Sequence, residues 1–196
     1  MRHFSNGIFF LLAASLFLGG CATTDTQTPD FEQRLSKVTA GNVEVTPTET
    51  LAYEDEFIRV EWAFPDGEIG RLHFSLENKS DSEITILWND ASYVDPSGTT
   101  QNVLHNDMSM YEVSTTMLQP RDVPPQARTS TVIIPEKHVR GTAVGAEFAP
   151  LISREAHGQQ TVRLILPMKY KDRVARYSFY FKIWVANEDI APGEGI

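Results

Sequence analysis

Residues 161–185 read TVRLILPMKYKDRVARYSFYFKIWV, and their pattern decides the fold class. Val162, Leu164 and Leu166 recur at a period of two. So do Tyr177, Phe179, Phe181, Ile183 and Val185. This is the spacing of a β-strand with one buried face. Between the runs lies the polar break Lys171-Asp172-Arg173, so the stretch reads as an antiparallel hairpin. It is dense in aromatic residues, and Phe179 and Phe181 are expected at the centre of the core. A one-residue offset puts Tyr180, Lys182 and Trp184 on the opposite, outer face, because side chains alternate strictly along a strand. Tyrosine and tryptophan mixed with lysine resemble the middle of an interface more than a solvated surface. Those three residues form a candidate partner-binding face, with Trp184 as its anchor.

The same period extends upstream. In FIRVEWAF (57–64), Ile58, Val60, Trp62 and Phe64 share a face against Arg59 and Glu61. In GRLHFSLEN (70–78), Leu72, Phe74 and Leu76 alternate with His73, Ser75 and Glu77. The turn cluster NKSDS (78–82) leads into EITILW, with Ile84, Ile86 and Trp88 in phase. This strand–turn–strand run predicts a second hairpin. Asp95-Pro96-Ser97-Gly98 is a strong turn signal between ASYV and TTQNVLH and predicts a third. Pro124 and Pro125 open a strand that Pro135 closes, in keeping with proline at strand ends. Residues 136–158 have no clean period and are expected to wander as a long loop. The expectation is an all-β antiparallel sandwich of about seven to nine strands over residues 42–188, with a frayed tail at 189–196. Trp62 and Trp88, in phase with their strands, are expected in its core.

The chain has 196 residues and a formal net charge of −9. That length suits one domain with a core large enough to need neither disulfide nor metal. The acidic balance argues against nucleic acid as a partner and against a whole surface held to anionic lipid by charge. A single cysteine, Cys21, excludes an internal disulfide and a thiolate zinc cluster.

The position of that cysteine carries information. Arg2 is followed by the apolar run IFFLLAASLFL (8–18), then by Gly19, Gly20 and Cys21. The run is about half the ~20 residues needed to span a bilayer, and the layout is that of a secretory signal peptide. Its end, LGGC, resembles the lipobox of bacterial envelope lipoproteins. The resemblance implies that residues 1–20 are removed by cleavage between Gly20 and Cys21, and that Cys21 is acylated and anchored to the membrane through its acyl chains. Ala22 in place of aspartate implies, in a Gram-negative host, an outer-membrane address facing the periplasm. Loss of Arg2 would bring the mature charge to −10. Residues 21–41 are expected to be a tether. In DFEQRLSKV (30–38), Phe31, Leu35 and Val38 fall at helical spacing behind a capping-box-like Asp30 and Gln33, which allows a two-turn helix.

Residues 56–186 further resemble the immunoglobulin-like domains of bacterial envelope lipoproteins. The resembling features are LENKSDSEITILW, the DPSG turn and PPQARTSTVIIP. The resemblance implies an architecture and no activity.

Catalytic signatures are absent from the sequence. It has no nucleophile elbow, no SxxK, no glycine-rich phosphate loop and no His pair at zinc-helix spacing. His105 with Asp107 is the one local cluster of ligand-type side chains, in HNDMSM (105–110), and is more simply a solvated loop. Glu54, Asp55 and Glu56 are expected to solvate a strand end. The reading is a non-enzymatic, lipid-anchored module without cofactor or metal, which binds an envelope protein. A small-ligand or glycan module built on the loops near His105 or 136–158 is the alternative, and an enzyme a distant third.

Overall fold

The computed structural model describes residues 31–47, 51–64, 70–105, 118–142, 145–153, 155 and 157–186. Gly20, Cys21, Asp107 and the tail 189–196 lie outside the described residues. The protein is all-β, and every strand pairing is antiparallel. In chain order the strands are β1 (Phe31–Ala40), β2 (Val43–Val45), β3 (Ala52–Glu54), β4 (Ile58–Ala63), β5 (Leu72–Asn78), β6 (Ile84–Ile86) and β7 (Ser92–Val94). They continue with β8 (Thr100–His105), β9 (Arg121–Val123), β10 (Arg128–Pro135), β11 (Val139–Thr142), β12 (Gly145–Phe148), β13 (Gln160–Tyr170) and β14 (Arg173–Val185). The count exceeds the seven to nine expected, because β2, β3, β6, β7 and β9 are only three residues long. Too few positions remain in such pieces for alternation to register. Within 136–158, expected as a loop, β11 and β12 form a separate small ribbon.

Twelve strands form one curled sheet ordered β2-β1-β14-β13-β7-β8-β10-β5-β4-β3, with β6 and β9 attached beside β13. β8 is the corner: its first residues pair with β7 and its last with β10. The half containing β1, β14 and β13 therefore faces the half containing β4, β5 and β10. Between them Trp62 of β4 packs edge-on against Phe179 and Phe181 of β14, with ring centroids 5.0 and 5.3 Å apart. Phe179, Phe181, Val60, Leu72, Leu76 and Leu164 have no exposed surface, and Trp62 and Trp88 are buried. Edge-to-face rings add to what area burial alone contributes.

Two local expectations fail for identifiable reasons. Residues 31–40, placed in the tether, are strand β1, paired along β14 from Phe31 opposite Val185 to Ala40 opposite Tyr177. A β-bulge lies between Leu35 and Lys37. One extra residue there shifts the alternation, so Phe31, Leu35 and Val38 all point into the core. Their spacing of four and three imitates a helix. The folded domain thus begins at or before Phe31, not at 42.

The second failure is the predicted hairpin across NKSDS. β5 pairs with β4 and β10, whereas β6 pairs with β13 and β9. The Asn78 side chain, wholly buried, makes the crossing. Its amide nitrogen donates to the carbonyls of Ser82, Val123 and Pro124. Its oxygen accepts from the Ser80 amide and hydroxyl. The segment is thereby turned from one half of the sheet to the other. The hairpins β7–β8 and β13–β14 form as predicted. In the former, Gly98 sits at φ +86°, which glycine adopts without a Cβ penalty.

Candidate functional site

Three strands build the outer face where Tyr180, Lys182 and Trp184 were predicted. β14 lies between β1 and β13, and the register aligns their outward residues in rows. Glu32 stands beside Trp184, Arg34 beside Lys182 beside Thr161, and Lys37 beside Tyr180 beside Arg163. Further along, Thr39, Ser178 and Ile165 align, then Arg176 with Pro167, then Val174 with Lys169. The bulge at Ser36 brings Lys37 into the Tyr180 row, and the Ser36 hydroxyl donates to the Tyr180 carbonyl at 3.0 Å. Tyr180, Lys182 and Trp184 are all half-buried; the first two are flanked by paired residues on both sides, Trp184 on the β1 side.

Six cations share this face: Arg34, Lys37, Arg163, Lys169, Arg176 and Lys182. Strands β13 and β14 contain no Asp or Glu at all. Lys37 stands over the Tyr180 ring at 4.6 Å and Arg163 at 5.5 Å. Arg163 also donates to the Tyr180 hydroxyl at 3.3 Å. Two acids accompany these cations: Glu32, exposed in the Trp184 row, and Glu44, which reaches from the edge to Lys37 at 3.4 Å. Among the described residues Arg34, Lys169, Arg176 and Lys182 make no salt bridge.

A second feature lies at the end of the sandwich that holds the β13–β14 turn. A cavity of about 470 Å³ is lined by Phe57, Ile58, Ile84, Met168, Tyr170, Ala175 and Tyr177 and rimmed by Lys171, Asp172 and Arg173. Asp55 lies beside it. It accepts hydrogen bonds from the hydroxyls of Tyr53 (3.1 Å) and Tyr177 (3.0 Å) and from the amides of Phe57 and Ile58, both at 2.8 Å. Burial, then the Asp55 charge and hydrogen bond, push both tyrosine hydroxyls above their ordinary range, so they stay protonated donors. Asp55 was expected to solvate a strand end; instead it caps the β3–β4 turn and ties it to β14. Its neighbour Glu54 behaves as expected, exposed and paired with Lys79 at 2.6 Å.

The His105 expectation also changes. His105 closes β8 opposite Ile133, and its ring packs 5.0 Å from Trp88. It shares the inward phase of Gln101 and Val103, both buried, so it belongs to the wall of the core and not to a solvated ligand loop. Among the described residues no group of three or more His, Cys, Asp or Glu could hold a metal ion. The basic character of the face was missed because it needs β1 as a neighbour of β14, and the net charge hides it.

Comparison with family models, curated proteins and solved structures finds no match to this chain.

Proposed function

We propose that this chain is a lipid-anchored protein of the bacterial envelope, acylated at Cys21 after removal of residues 1–20. On this reading its immunoglobulin-like sandwich docks another envelope protein and carries out no chemistry. Nine residues lie between Cys21 and Phe31, a span of at most roughly 35 Å, so the domain works close to the membrane that holds it. In a Gram-negative host that membrane is the outer one, seen from the periplasm. The observation that carries docking is the β1–β14–β13 face. Half-buried Tyr180, on backbone paired with both β1 and β13, and Trp184, paired with β1, stand there among cations. Preorganised aromatic residues of this kind are enriched among interface anchors.

Capture from envelope extracts by the intact lipoprotein tests the reading. A stoichiometric protein that is retained by the native chain and lost with Trp184→Ala supports it. Undiminished capture by the variant contradicts it. Labelling with palmitate tests the anchor, and incorporation into Cys21→Ser contradicts acylation at that residue.

The end cavity favours a second reading, a small-ligand module. Its volume falls within the range of ligand pockets and its lining is mostly apolar. An amphiphile seated among Phe57, Met168 and Tyr177 would replace the glycan expected near His105.

A further inference from the structure

We infer that the segment docking on the β1–β14–β13 face is acidic: an extended run of protein chain bearing several Asp or Glu side chains. The inference rests on the docking reading above and adds the chemistry of the partner. The face gathers six of the chain's 17 Lys and Arg residues, leaving eleven for the rest of a sequence with 26 Asp and Glu. A cluster so far from the average composition has to be explained by what it meets. Like charges in neighbouring rows repel, and five of the six make no salt bridge among the described residues. An anion lying along the strip relieves that repulsion.

The shape of the strip selects the kind of anion. From Trp184 to Val174 the rows extend roughly 34 Å, and the three strands that share the middle rows span roughly 10 Å across. That width is close to one screening length at physiological ionic strength, about 8 Å. A single extended chain on the strip therefore sees mainly cations. A planar bilayer would also cover Glu44 on β2 and Asp122 on β9, acids at the margins of the strip that a single chain can avoid. The aromatic geometry agrees. Lys37 and Arg163 both stand over the Tyr180 ring, so the ring positions two cations on the surface and does not project as a membrane wedge. Trp184, one row beyond Lys182, then supplies the apolar contact at the end of the strip.

A fluorescent decaglutamate peptide, titrated against the full-length lipoprotein in neutral-lipid nanodiscs, is the direct probe. Saturable binding is expected at about 50 mM salt, weakened about tenfold or more at about 500 mM. Arg34→Glu combined with Lys182→Glu should weaken it about tenfold or more at the lower salt. Arg59→Glu with Arg128→Glu, on the opposite half of the sheet, should change it less than about twofold. If the first pair disturbs folding, seen as a lowered Tm, the milder Arg176→Gln should still weaken binding about twofold. Absence of saturable binding, or equal losses from both pairs, overturns the inference. So does association with phosphatidylglycerol vesicles that depends on Arg34 and Lys182 and replaces peptide binding; that result assigns the strip to a membrane. A captured envelope protein that needs Trp184 but ignores salt, Arg34 and Lys182 overturns the acidic segment and leaves docking standing. Capture that survives Trp184→Ala overturns docking itself.

Discussion

The two halves of the curled sheet share one core and present opposite outer faces. On the half formed by β3, β4, β5 and β10, the register lines up Glu54, Arg59, Glu77 and Arg128 in a row of alternating sign. Arg128 meets Glu77 and Arg59 meets Glu61, each at 2.6 Å. On the half formed by β1, β14 and β13, the corresponding positions hold Arg34, Lys37, Arg163 and Lys182 with two aromatic rings. Both arrangements satisfy the same inward alternation, so the fold does not require either one. Cross-strand pairs of opposite charge are how a sheet settles its own surface. A face with one such pair, Lys37 with Glu44, and five further cations is set up for something that arrives from outside.

The largest expected effect tests whether the halves share one core. Phe181→Ala should cost about 3–5 kcal/mol in denaturant unfolding, because Trp62 and Phe64 of the opposite half both pack on that ring. A cost below about 1 kcal/mol would separate the halves. Trp184→Ala should leave unfolding nearly unchanged yet weaken partner capture by about 2 kcal/mol or more; a matching loss of stability would make Trp184 a structural residue. Asn78→Ala removes the crossing between the halves and strands buried carbonyls, at about 2 kcal/mol.

Acid should act on the turns and the self-neutralised half first. The Lys79 hydrogen bond and charge hold the Glu54 carboxyl below the usual carboxylate range. Hydrogen bonds from the Ser82 and Tyr170 hydroxyls do the same for Asp81. A carboxylate with a lowered folded pKa adds stability that is fully present above its unfolded pKa, about 4, and lost as pH falls through the folded value. Tm should therefore be level from pH 7 to about 5 and decline below about 4. Glu54→Gln should flatten part of that decline. The smallest effect is Arg128→Ala, where an exposed, solvent-screened pair is lost and Tm should stay within the scatter of the measurement.

Much of this architecture is legible in the sequence wherever one strand runs unbroken for six residues or more. The alternation in 58–64, 72–76 and 162–183 placed each core side chain correctly, and the offset placed Tyr180 and Trp184 outside. Legibility fails where a single residue changes the phase or the direction. Ser36 inserts a bulge that makes a strand imitate a helix. Asn78 turns what looks like a hairpin into a crossing, and the two hydrogen bonds that fix it to Val123 and Pro124 reach 45 and 46 positions along the chain, where no local pattern reveals them. The candidate site was half legible. Its aromatic residues follow from β14 alone, but its charge depends on β1 and β13 lying on either side. The β13 neighbour was legible as a hairpin, but the β1 neighbour joins residues such as Ser36 and Tyr180, 144 positions apart. Asp55 was hidden for the same reason, since Tyr177 reaches it from the far end of the chain.

Site-specific photo-crosslinking in intact envelopes tests the contrast between the faces most directly. A photoreactive residue at position 182, on the cation-rich face, should give a discrete adduct with another protein. The same residue at position 75, on the self-neutralised face, should give none. Adducts of equal yield at both positions, or an adduct at 75 alone, would contradict the account.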